Sequence, residues 1–238
     1  MGVFRDLPSP FAAGVQDATP GRNSQYGDRH VQPVGGTNWT FADEGSYYVA
    51  NNATLATGIA GHAAPVVADT DTKALLHLYN AGDDTIFPDY VFLEVTAAGT
   101  AGTIQYTTIY IDAKGSTARD SGGTQLTPVG ANTAISRATG ATVFFGAVVT
   151  TMSSSRKVGQ QIVREVIPVV QDTLLMVFGD VGRGAHAALT TAGTATNHAV
   201  QFFAPLAIRA GGNLNISQIR PSQSAATSYQ VSFGYWER

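Results

Sequence analysis

From Ser46 onward, apolar and polar positions follow one another in short runs separated by clusters of Gly, Asp, Asn and Thr. "SYYVANNATLATGI", "KALLHLYN", "TIFPDYVFLEVTAAG" and "GTIQYTTIYIDAKG" come first; "ATVFFGAVVTT", "KVGQQIVREVIPV", "DTLLMVFGD", "HAVQFFAPLAIRAGGNLNISQI" and "SAATSYQVSFGYWER" follow. In "DYVFLEVTA" the residues Val91, Leu93 and Val95 alternate with Phe92 and Glu94. In the last run Tyr229, Val231, Phe233 and Tyr235 alternate with Ser228, Gln230, Ser232 and Gly234. A period of two sends one set to a buried sheet face. "LLMVF" is apolar at every position, the pattern of a strand covered by a sheet on one side and another layer or subunit on the other. Helical periodicity is nearly absent: "GANTAISRATG" predicts a turn or two, and "SSSRKVGQQ" less. Many strands joined by turn signals predict an all-β fold, a single jelly-roll-like β-sandwich, with an immunoglobulin-like sandwich as the alternative topology. The final strand is expected in the interior of a sheet, with Arg238 held by an acidic neighbour.

Residues 1 to about 40 follow a different grammar. Pro8, Pro10, Pro20 and Pro33 punctuate a stretch rich in Gly, Asn, Asp and Arg with no sustained period. Such a composition buries too little apolar surface to fold alone, which predicts an extended N-terminal arm over 1–40 and a sandwich over 41–238. Phe4, Phe11 and Tyr26 are apolar anchors, and Arg5, Arg22 and Arg29 charged ones, with which the arm would contact a neighbouring subunit. An arm folded back along its own sandwich is the competing expectation.

Composition sharpens this picture. Of 238 residues 44% are hydrophobic, enough for a large core, but only 13% are charged. A globular average is roughly 25%. A surface this neutral favours coverage in an assembly or a coat of Thr, Ser and Asn. The net charge of −3 supplies no basic field for a phosphate backbone, so nucleic acid is not expected as a partner. Lys occurs only at Lys73, Lys114 and Lys157, so Arg, the better interface cation, supplies the rest of the 14 basic residues. Without cysteine there is neither disulfide nor thiolate metal site. "MGVFRDLPSPFAAG" lacks the apolar run of a signal peptide, and Asp6 stands where a myristoylation signal needs Ser or Thr. No membrane association is expected. The sequons at Asn38, Asn52 and Asn215 are read as chance matches.

Catalytic chemistry finds little purchase. His30, His62, His77, His186 and His198 lie in no recognised motif, and His77 within "ALLHLYN" reads as a satisfied strand residue. Asp69 with Asp71 and Asp83 with Asp84 sit in predicted turns, where Asp bonds the local backbone. Glu94 and Glu165 are the pair a glycosidase reading would need, with nothing in the sequence to link them. "GDVGRGAHAAL" has the glycines of a phosphate loop but not its Lys-Ser/Thr ending. Trp39, Tyr47, Tyr48 and Trp236 are candidate sugar platforms or, more plainly, buried strand aromatics. The expectation is a non-enzyme with no catalytic residue, metal or cofactor.

"GTAGTIQYTTIYIDAKG", "SGGTQLTPVGANT", "VIPVVQDTLLMVFGD" and above all "PSQSAATSYQVSFGYWER" resemble segments of structural proteins from tailed bacteriophages and related environmental viral sequences. The resemblance runs from about Ser46 onward and carries no functional residue with it. It implies a jelly-roll virion component assembled in the host cytoplasm: a head decoration or cement protein that clamps the major capsid protein, commonly as a homotrimer. A tail, fibre or baseplate adhesin that binds a host glycan is the alternative.

Overall fold

The computed structural model describes residues 22–23 and 29–30 and, from residue 41, all but 53, 56, 63–69, 100–104, 113–118, 136, 150–153, 165–167, 180–197 and 220–224. The chain divides into Met1–Thr40 and Phe41–Arg238. In the first unit β1 (Arg22–Asn23) pairs antiparallel with β2 (Arg29–His30). The second unit carries β3 (Tyr47–Asn51), β4 (Ile59–Ala60), β5 (Lys73–Asn80), β6 (Ile86–Ala97), β7 (Gln105–Asp112) and β8 (Arg119–Gly130). There follow β9 (Ala141–Val149), β10 (Ser155–Arg164), β11 (Thr173–Phe178), β12 (His198–Phe203), β13 (Asn213–Ile219) and β14 (Ser228–Glu237). Among the described residues no helix is long and apolar enough to cross a membrane.

The pairings are nested. β3 pairs with β14, β5 with β13, β6 with β11 and β7 with β10, all antiparallel. A chain folded as one long hairpin and then rolled up gives this order, with sheets β3-β14-β6-β11 and β5-β13-β7-β10. These are the two four-stranded sheets of a jelly roll. The expected sandwich is thereby present, and the immunoglobulin-like alternative is not. Two additions nearly close it into a barrel. The β8–β9 hairpin pairs β9 with β5, and β8 then runs across to pair with β3, joining the two sheets along one side. On the other side β12 lies parallel to β11, and Gln161 Nε2 of β10 donates to the Phe202 carbonyl of β12 at 2.7 Å.

The core follows the period of two. Val91, Leu93 and Val95 of β6 and Tyr229, Val231, Phe233 and Tyr235 of β14 all point inward and are buried. They meet Leu76 and Leu78 of β5, Phe145 of β9 and Ile216 of β13. β14 sits between β3 and β6 as expected. Arg238 is tied through its main chain, in two bonds with Thr85 of 2.8 and 2.9 Å, and among the described residues no acidic side chain pairs with it. The neighbouring Glu237 is buried and accepts from Gly140 N at 3.0 Å and from the Thr139 hydroxyl, which also bonds Tyr235 Oη at 2.8 Å.

Three expectations are corrected, and one strand lies outside the runs read from the sequence. "SGGTQLTPVG" belongs to that strand, β8, which has Gly122, Gly123 and Pro128, a register shift, and Leu126 as its one buried side chain among those described, so it shows no alternation. "GANTAISRATG" is not helical in its described residues. Asn132 Oδ1 takes the amides of Ala134 (2.7 Å) and Ile135 (3.1 Å), a local turn that competes with helix. "SSSRKVGQQ" lies largely in β10. The long run "HAVQFFAPLAIRAGGNLNISQI" is two strands, broken after Phe203, with Ile208 bridging to Ile86 in between.

Gly146 in β9 provides a check on the closure. It has φ 71°, and a Cβ there would stand 2.1 Å from the Gly61 carbonyl oxygen. Gly146→Ala is expected to destabilise the protein by about 3 kcal/mol, combining backbone strain and overpacking. Urea unfolding monitored by tryptophan fluorescence reads that loss as a lower midpoint at unchanged slope.

Candidate functional site

Alternation that sends one half of each strand inward sends the other half outward. On the sheet of β3, β14, β6, β11 and β12 that outward half is unusually apolar. One row crosses the sheet from β8 to β12 as Val129, Val49, Gly234, Tyr90, Val177 and Phe202, each register-paired with the next. A second row runs Thr127, Asn51, Ser232, Phe92, Leu175 and Val200, polar on β8, β3 and β14 and apolar on β6, β11 and β12. A third holds Tyr47, Trp236 and Phe87. Val49, Phe92, Leu175, Val177 and Val200 are part-exposed, and Val129 is 62% exposed. The all-apolar run "LLMVF" therefore divides as Leu174, Met176 and Phe178 inward and Leu175 and Val177 outward.

Gly234 shapes the centre of this face. A Cβ there would lie 2.3 Å from Tyr90 Cε1 and 2.5 Å from Tyr47 Oη, so the two tyrosine rings, arriving from β6 and β3, close over β14 only because the position is bare. Tyr47 Oη donates to Asp89 Oδ2 at 2.7 Å, and the Tyr90 and Ser232 hydroxyls bond each other at 3.1 Å. Burial, and then the bond to Asp89, raise the Tyr47 phenol well above its ordinary range. Beside them Trp236 stacks between Phe41 (4.7 Å) and Phe87 (5.2 Å). Past the second row the face turns polar: Gln230, Glu94, Thr173 and His198 pair in register, with Thr173 Oγ1 2.7 Å from His198 Nδ1.

The residues singled out from the sequence fall elsewhere or into structural roles. Phe4, Arg5, Phe11, Tyr26 and Trp39 lie outside the described residues, as do the side chains of Arg22 on β1 and Arg29 on β2. Tyr47 and Tyr48 are buried, and both faces of Trp236 are covered, so these three are strand aromatics rather than open sugar platforms. His77 is buried on β5 with Nδ1 2.5 Å from Asn215 Oδ1. The sequon residues Asn52 and Asn215 are themselves buried and bonded to backbone carbonyls, while Asn38 lies outside the described residues. Asp84 pairs with Arg137, Glu94 sits on the polar margin, and Asp69, Glu165 and residues 180–189 of the glycine-rich loop lie outside the described residues. Among the described residues no three His, Asp or Glu side chains are grouped to hold a metal ion. No protein-family model, curated protein or solved structure matches the chain.

The apolar outward face escapes a sequence reading that looks for reactive side chains. Its signal was "LLMVF" together with the aliphatic and aromatic residues at outward positions of "DYVFLEV" and "HAVQFF". Chemically the arrangement offers aromatic and aliphatic surface, with the hydroxyls of Tyr47, Tyr90 and Ser232 in bonds to one another's strands. Such a face gains by being covered.

Proposed function

We propose that the protein is a non-enzymatic virion subunit, a decoration or cement protein of a phage head. In this reading arm residues 1–40 bind the major capsid protein, the sandwich associates with itself as a homotrimer, and the product stabilises the head lattice after assembly in the host cytoplasm. The observation that carries it is the apolar outward face on a chain with only 13% charge, which suits a subunit made to be covered. The jelly-roll strand order fits the resemblance to phage structural proteins, though fold alone assigns no role. The enclosure of Trp236 and the burial of Tyr47 and Tyr48 weigh against the glycan-binding adhesin.

Immunogold labelling of purified particles tests the placement. Label distributed over the head is expected; label confined to the tail tip would transfer the reading to an adhesin, and unlabelled particles would remove the protein from the virion.

A further inference from the structure

We propose that the outward face of the β3-β14-β6-β11-β12 sheet is a self-association surface that packs against a second copy of this chain. The inference rests on the self-association in the preceding reading, not on its trimeric state or on the placement in a phage head, because a face that packs on the same face of a second copy pairs two chains.

The first argument is contrast within the molecule. Elsewhere the same chain makes an ordinary solvated surface: Ser121, Thr124 and Gln125 on β8 and Ser155, Arg156 and Lys157 on β10 are exposed and polar. An antiparallel sheet that faces water alternates apolar-in with polar-out. β11 breaks that rule with Leu175 and Val177, and β6 and β12 break it at the register-paired Phe92 and Val200. The exceptions are aligned across strands, so they form one surface and not scattered substitutions.

Extent and charge then identify the occupant. Across six strands, from β8 to β12, at about 4.8 Å spacing, the three rows together with the polar positions Thr127 and Asn51 and the polar margin make a face of about 600 Å², of which the apolar rows supply roughly two thirds. Two such faces in contact bury on the order of 1,200 Å², within the range of specific protein interfaces. None of the three rows contains Lys, Arg or Glu, and Asp89 at the β6 bulge is bonded to Tyr47. Two copies therefore meet without like-charge repulsion, whereas a nucleic acid or an anionic membrane surface would call for basic residues here. Depletion of charge at an apolar centre with a polar margin, here Gln230, Glu94, Thr173 and His198, is the anatomy of a homotypic interface.

The test is the mass of the purified full-length chain by sedimentation velocity and light scattering, from micromolar to 100 micromolar concentrations. The wild type is expected at a multiple of 24.8 kDa. The double variant Leu175→Arg/Val177→Arg is expected at 24.8 kDa, with association weakened by roughly 100-fold or more, because two buried guanidinium groups would face each other unpaired. Val129→Arg, on a side chain already 62% exposed, keeps the test valid should the double variant fold poorly, and it should weaken association about tenfold. Arg156→Glu on β10 should leave the mass unchanged. A wild type that stays monomeric at 100 micromolar overturns the proposal, and so do folded face variants with undiminished association. Attachment to phage heads, measured separately, tests only the preceding reading, so the two can fail independently.

Discussion

Truncation after Thr227 is expected to yield a chain with no cooperative melting transition and no near-ultraviolet circular dichroism. β14 is a wedge, bonded to β6 along one side and to β3 and β4 along the other, so its loss splits the sheet rather than shortening its edge. It also contributes Tyr229, Val231, Phe233 and Tyr235, each at most 3% exposed. Removing one buried aromatic side chain costs roughly 3–5 kcal/mol. A whole domain is stable by roughly 5–15 kcal/mol, so three aromatics and a valine lost together leave nothing to hold the fold. Phe233→Ala alone should lower stability by about 3–5 kcal/mol while keeping a two-state transition. A truncated chain that melts at the wild-type temperature would show that β14 is dispensable, contrary to its pairing.

The second large effect separates folding from attachment. Residues 41–238 without the arm are expected to melt within a few degrees of the full chain, because the described core cluster is assembled from strands between Tyr48 and Tyr235. On the proposed head-decoration reading, binding of this shortened protein to undecorated heads should fall by roughly 100-fold or more, since an assembly whose arms are its tethers would lose its avidity with them. Replacing Phe4, Phe11 and Tyr26 with Ala should weaken binding at any salt concentration. Replacing Arg5, Arg22 and Arg29 with Gln should weaken it mainly at low salt, where exposed charges are least screened. Equal binding with and without the arm would make it a passive extension, and a collapsed melting transition would make it part of its own sandwich.

The structure and the sequence agree where burial imposes a period and part where backbone chemistry intervenes. β6 and β14 were legible because each has one face in the core, so inward apolar positions alternate with outward ones, while β5 and β11 were legible as short apolar runs bounded by turn signals. β8 was not, because a strand that bends between two sheets uses Gly, Pro and exposed polar residues, the same letters as a turn. The break between β12 and β13 hid in an apolar stretch whose Ile208 pairs outside any named strand. Strand order was legible only as far as the jelly-roll class, since nesting is a matter of partners far apart in sequence. As for the candidate face, reactive residue types were the wrong guide: a covering surface consists of side chains that do nothing except leave water, and they differ from core residues only in which way they point.

Nested pairing also dictates a timetable. Until β14 leaves the ribosome, β3 and β6 each present an unsatisfied edge facing the gap it will fill, and the contacts that close the roll span most of the second unit. Loop closure of that length slows folding, and open strand edges next to apolar side chains invite pairing with other nascent chains. Synthesis rate and chaperone occupancy should therefore bear on the yield of this protein alongside its final stability, since β3 and β6 must wait, with open edges, for β14.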